Sequence, residues 1–195
     1  MPTGPGGLDA NGIWQYGEDD TEALASDLLN LGMASVSTVV GGLGASGILQ
    51  VVSTTKTDTF ATTSGTDVDI TGLSASITPS STSSKILVLV SASFATTTNQ
   101  INSITLTRGG TPIGGGGIVG SRTSAFKSSY LTSTNTGGML SGEHLDSPST
   151  TSSITYQVQA KTSAGTMTIG ISGGDADAAN HPRTSSTITL MEVAG

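Results

Sequence analysis

Gly, Ser and Thr fill 88 of the 195 positions (27, 29 and 32 respectively), so nearly half of the chain brings almost no side-chain volume to a core. A helical bundle is excluded, because each of its helices needs a broad stripe of large apolar side chains. Thr is at home on the pleated surface of a strand, where its branched Cβ packs well and carries no charge. Only 34% of residues are hydrophobic, but charged residues make up just 11%, which is not the high-charge composition of a disordered chain. A chain of this length suits one domain with an appended arm, with a thin core of Val, Ile and Leu.

Several function classes fall away on composition. There is no Cys, so disulfides, thiolate metal sites and a Cys nucleophile are ruled out. With a net charge of −7 and only seven Lys and Arg in total, the chain lacks the basic patch of a general nucleic-acid binder. The opening Met1-Pro2-Thr3-Gly4-Pro5 does not follow the basic-then-apolar order of a secretory leader. The longest aliphatic run, Ile86 to Val90, is far too short to cross a bilayer as a helix. The expectation is a soluble protein with no membrane insertion and no cofactor.

The first 47 residues differ from the rest. Residues 1–20 are rich in Gly and Pro and read as an extended arm, yet they carry Ile13, Trp14 and Tyr16. Such residues are common interface anchors, and the arm is expected to dock through them on another protein. The alternative is local: Trp14 folds onto Leu24 as a staple across a helix start. Residues 20–40 predict the one helix, capped by Asp19 and Glu22 and carrying Leu24, Leu28 and Leu31 on one face. Three copies of that stripe can close around an axis, which predicts a homotrimer. Gly41, Gly42, Gly44 and Gly47 form a hinge, so the expected division is 1–20 arm, 21–47 helix and hinge, 48–195 β domain.

Beyond the hinge the apolar period becomes two. Candidate strands cover 48–54, 57–62, 68–73, 76–78, 85–94, 101–107, 129–133, 138–143, 154–160, 166–172 and 187–193. Ile154, Tyr156 and Val158 alternate with Thr155, Gln157 and Gln159; Ile188, Leu190 and Glu192 alternate with Thr189, Met191 and Val193. The run 85–94 is apolar at nearly every position through Val90 and predicts a central strand covered on both faces. The fold class expected is all-β, an antiparallel sandwich of jelly-roll type. Its hydroxyl-rich, charge-poor outside suits packing between identical subunits, since desolvating a hydroxyl costs much less than desolvating a Lys or Glu.

Motifs that would carry chemistry are thin. Gly115-Gly116-Gly117-Ile118-Val119-Gly120 matches the dinucleotide string G-x-G-x-x-G, but no amphipathic helix follows, and a long connection between strands fits better. His144, between Glu143 and Asp146, and His181, beside Pro182 and Arg183, stand outside any triad or paired-ligand spacing, and the acids around His144 read as a polar turn before Pro148. Asp175 and Asp177 supply half of an oxygen-rich cation loop, and a solvated turn is the simpler reading. Segments 109–127 and 172–184 are the longest without alternation, so Arg122, Lys127, Asp175, Asp177, His181 and Arg183 are the candidate recognition residues for a polar host-surface glycan or protein. The same Gly-rich turns also suit close approach of subunits.

Segments in both parts of the chain carry a family resemblance. Leu145 through Tyr156, Asp175-Ala176-Asp177-Ala178, Arg183 through Val193, and the earlier Ile77 through Val88 resemble the C-terminal domains of tailed-bacteriophage structural proteins. Gly12-Ile13-Trp14-Gln15-Tyr16, with the acidic run and Ser26 through Leu31 after it, resembles the virion-attachment start of phage minor tail proteins and fibres. The resemblance implies a virion component, made in the host cytoplasm: a trimeric tail fibre or spike whose N-terminus binds other virion proteins and whose jelly-roll-like domain faces the host surface. A short chain without a long shaft also fits a capsid decoration or head-fibre protein. A third class is a carbohydrate-active enzyme or glycan-binding module, but catalysis there needs paired carboxylates in an aromatic-lined cleft, and the chain is poor in both.

Overall fold

The computed structural model describes residues 47–195 apart from Thr134, and two short strands before them, β1 (Gly7–Leu8) and β2 (Trp14–Gln15). The predicted helix with Leu24, Leu28 and Leu31, all of the hinge before Gly47, and Ile13 and Tyr16 lie outside the described residues. Within the predicted arm, β1 and β2 pair antiparallel with Leu8 opposite Trp14, a local pairing that a wholly extended arm would not contain. Residues 1–46 form one unit and 47–195 another.

The second unit is all-β and antiparallel. Its strands are β3 (Ile48–Lys56), β4 (Phe60–Thr62), β5 (Val68–Ile77), β6 (Lys85–Thr96), β7 (Gln100–Arg108), β8 (Thr111–Ile113), β9 (Lys127–Leu131), β10 (Thr136–Asp146), β11 (Ile154–Thr162), β12 (Met167–Ile169) and β13 (Ser186–Val193). Three pairs act as single lanes. One edge of β6 is taken wholly by β10, and the other is shared by β13 and β12, which pair with residues 85–91 and 94–96. Strands β3 and β4 flank β13 and β12 in turn, and β8 and β9 share the edge of β7 left free by β11.

Counted as lanes in chain order, β3 with β4 is the first, β5 the second, β6 the third, β7 the fourth, β8 with β9 the fifth, β10 the sixth, β11 the seventh and β12 with β13 the eighth. The first sheet then runs 1-8-3-6 and the second 2-7-4-5. This is the order obtained when a long hairpin, lanes one to four against lanes five to eight, is rolled into two facing sheets, and it defines a jelly roll. The core lies between them: Ile86, Val88, Val90, Phe94, Ile188 and Leu190 from the first sheet meet Ile70, Leu73, Ile104, Leu106, Tyr156 and Val158 from the second.

The alternation read from sequence sets these faces. In β13 the residues Ser186, Ile188, Leu190 and Glu192 point inward and their neighbours are half-buried. The run 85–94 departs from expectation in part: β6 is central, paired along both edges, but from Lys85 to Ser91 only one face is buried, with Leu87 and Leu89 half-exposed on the other, and both faces are buried only from Ala92 onward. Strand β7 is buried on both faces from Asn102 to Thr107. Its outer hydroxyls are desolvated without loss because each finds a partner: Ser103 donates to Ser128, Thr105 to Asp67 and Thr107 to the Gln157 carbonyl. Segments 68–73 and 76–78 join into β5, with Gly72 at φ +80 in the middle, and Pro112 hides the short β8 from sequence.

Candidate recognition loops and cross-sheet cluster

Residues 114–126 interrupt the fifth lane between β8 and β9. The loop is laced to itself: the Gly116 amide donates to the Ala125 carbonyl, the Ser124 hydroxyl to the Gly116 carbonyl, and the Arg122 amide to the Val119 carbonyl. No helix follows the G-x-G-x-x-G string, so the amides have no pyrophosphate cradle to form. The tip exposes Ile118, Val119 and Arg122. Lys127 is elsewhere: it opens β9, is half-buried, and its ammonium lies 5.4 Å from the centre of the Phe126 ring. Its aliphatic stem occupies the space over Gly142, where a Cβ would collide with it.

Residues 170–185 interrupt the eighth lane between β12 and β13. The neck is closed by a bridge between Ile171 and Arg183 and by the Thr184 amide donating to Gly170. Asp175 and Arg183 come together, their charged groups 2.8 Å apart. The His181 imidazole Nδ1 sits 2.6 Å from the Gly174 carbonyl, holding the ring within its own loop. Asp177 is exposed. Of the six candidate residues, therefore, Asp175, Asp177, His181 and Arg183 share one loop, Arg122 lies on another in a different sheet, and Lys127 packs half-buried at the start of β9. A shallow cavity of about 80 Å³ lies beside the second loop, lined by Thr96, Thr97, Asn135, Thr168, Gly174 and Asp175.

The acids around His144 are not a turn. Glu143 and His144 belong to β10, and His144 lies against Gly114. Asp146, which ends β10, is buried and central to a cluster that sequence reading missed. Arg108 Nη1 donates to both Asp146 carboxylate oxygens at 2.9 Å, and the Tyr156 hydroxyl donates to Oδ2 at 2.7 Å. Burial, then the Asp146 carboxylate, pushes the Tyr156 phenol far above its ordinary value. A second buried acid, Glu192, accepts from the Ser80 amide and hydroxyl and from Gln50. Burial works to raise its pKa, but these hydrogen bonds outweigh it and bring it to about 2.

Other acids are engaged likewise: Asp58 with Lys56, Asp67 with Lys161 and Thr105, Asp69 with Gln159. Among the described residues no three His, Asp or Glu side chains gather as metal ligands do. The two loops are tied to themselves, and the engaged carboxylates hold structure.

No family model matches the sequence, and no curated protein is similar to it. Solved structures with some likeness come from infectious bursal disease virus. One is from the T13 viral particle, at 19% identity and TM-score 0.40, covering 74% of this chain and 36% of that one. Another is from the Gx strain, at 17% identity and TM-score 0.34 over 75% and 37%, and a third from derived T=1 particles, at 17% and 0.36 over 75% and 36%. The chain thus spans well under half the length of these proteins. At such values the likeness carries no functional argument, and the jelly roll stands on its own strand order.

Proposed function

We propose that the chain is a structural, non-catalytic component of a virus particle, a tail fibre or spike subunit that attaches through its N-terminal arm and presents the jelly roll outward. The observation that carries this is the pairing of a jelly-roll lane order with carboxylates that are committed to Arg108, Tyr156, Ser80 and other structural partners. Jelly rolls serve viral shells and lectin-like domains, and the buried acids of this one are committed to structural partners rather than aimed into a cleft. The arm's Ile13, Trp14 and Tyr16 are the anchor to other virion proteins, and Leu24, Leu28 and Leu31 draw three copies together. The exposed tips, Arg122 on one loop and Asp177 with Arg183 on the other, are the groups that reach a host glycan or protein.

Deleting residues 1–20 tests this reading. A structural subunit anchored by its arm keeps its β domain folded after the deletion and no longer enters particles. Normal incorporation of the truncated chain contradicts the anchor. The competing role, decoration of a capsid, has one observation in its favour: both candidate loops are laced by internal hydrogen bonds, which suits a rigid covering subunit more than a receptor grip.

A further inference from the structure

A cleft of about 200 Å³ lies on the outer face of the second sheet, and strand register builds its floor. Tyr130 on β9 stands opposite Ile101 on β7, and the Ser163 hydroxyl, just past β11, accepts from the Ile101 amide at 3.0 Å. In the next row Ser128, Ser103 and Lys161 line up across the same three strands. These side chains share the outward face because their chain neighbours Asn102, Ala160 and Thr162 are buried on the inner one.

The loops that wall the cleft are fixed before anything binds. Thr123 comes from the loop 114–126, and Lys161 Nζ donates to the Ser124 carbonyl at 3.3 Å, which ties that loop to the sheet. Gly65 comes from the turn between β4 and β5, where the Thr162 amide donates to the Ser64 carbonyl at 2.9 Å. A ligand entering here has little ordering cost to overcome.

The polar groups have hydrogen-bonding capacity left. The Lys161 side chain is 14% exposed; its ammonium donates to Ser124 and, at 3.3 Å, to Asp67 Oδ2, and an ammonium has a third N–H. Asp67 Oδ1 accepts from Thr105, but a carboxylate has about four acceptor positions. The Ser163 oxygen accepts from Ile101, so its own proton is available to donate. Tyr130 is 59% exposed and carries the only exposed aromatic ring in residues 47–195. An apolar ring face beside convergent hydroxyl, ammonium and carboxylate groups matches a saccharide, which has a C–H face and a rim of hydroxyls. The charges of Lys161 and Asp67 cancel, which favours a neutral sugar over an acidic one. The volume is below the roughly 300 Å³ at which pockets for drug-sized ligands begin, so a single ring is what fits.

We propose that this cleft binds one neutral hexose unit of a host-surface polysaccharide, its C–H face on Tyr130 and Ile101 and its hydroxyls on Lys161, Asp67 and Ser163. This rests on the host-contact reading above and places a sugar site apart from the loop tips Arg122, Asp177 and Arg183.

The test titrates the full-length chain with glucose, galactose, mannose and N-acetylglucosamine, and with N-acetylneuraminic acid as the acidic counterpart, followed by saturation-transfer difference NMR. At least one neutral sugar is expected to bind. Tyr130→Ala is expected to weaken that binding about fivefold, the loss of one stacked ring, and Tyr130→Phe to preserve it. Lys161→Gln is expected to weaken it as well, with circular dichroism reporting the fold; should that variant unfold, Tyr130→Ala decides alone. Thr155→Val, roughly 20 Å along β11 from Lys161, is expected to change nothing. Binding by no neutral sugar, or by the acidic one alone, overturns the neutral-hexose site. Neutral-sugar binding that survives Tyr130→Ala but is lost in Arg122→Ala overturns the cleft and leaves the host-contact reading standing on the loop tips. Binding through the cleft, with normal adsorption to host cells by particles carrying Tyr130→Ala, keeps the sugar site and overturns its host role.

Discussion

Arg108 on β7 and Asp146 at the end of β10 join the two sheets through a bidentate ion pair, both oxygens 2.9 Å from one guanidinium nitrogen. Tyr156, on the strand next to β7, donates to the same carboxylate, so one acid of the first sheet is held by two strands of the second. Buried at 7% exposure, Asp146 needs both partners to offset its desolvation.

Asp146→Asn keeps the shape and removes the charge. It is expected to lower stability by about 2 kcal/mol, since Arg108 is one-third exposed and recovers water while Tyr156 keeps a carbonyl acceptor. Urea unfolding of native and variant chains measures the difference. Tyr156→Phe, which leaves the ion pair, is expected to cost less, about 1 kcal/mol.

Glu192 makes stability depend on acid pH. Its folded pKa of about 2 lies below the ordinary 4.5, so the folded state binds its proton later than the unfolded chain does. Its contribution is complete above about pH 4.5 and is lost as pH falls from there towards 2. Thermal unfolding followed from pH 6 to 2 is expected to show this decline, and Glu192→Gln, less stable at pH 6, is expected to show a flatter one.

Gly137 on β10 faces the backbone of the second loop, where a Cβ would run into the Ser172 carbonyl. Gly137→Ala is expected to cost roughly 1–3 kcal/mol, because backbone cannot swing aside as a side chain does. The effect on the loop is read as faster proteolysis within residues 172–184. Gly142→Ala, whose collision is with the flexible Lys127 stem, is expected to cost less.

These residues show what the sequence makes legible. Alternation in residues 154–160 and 187–193 predicts strands and their buried faces, because period two follows directly from the pleat. The split lanes are not legible, since nothing local in Met167–Ile169 and Ser186–Val193 says that both lie along one edge of β6. The Asp146 cluster is hidden for the same reason: its partners are 38 and 10 positions away, and only register brings them together. A basic residue after a Gly-rich loop reads as exposed, as Lys127 does in the sequence; Gly142 leaves the space into which its stem packs. The half-exposed outer positions Leu87 and Leu89 of β6 show the converse, an apolar run that reads as covered on both faces and is buried on one.

Trp14→Ala separates the anchor from the fold. It is expected to weaken attachment to particles by about 2 kcal/mol or more, the usual cost of truncating an interface Trp, while the β domain unfolds at the native temperature. A shifted unfolding temperature with normal attachment supports the local staple on Leu24 instead.

The virion role itself is tested most directly by the protein content of purified particles, measured by quantitative mass spectrometry after density-gradient separation. A structural subunit is expected to travel with intact particles at a fixed copy number, a multiple of three. Recovery of the chain only from the particle-free fraction contradicts the virion role.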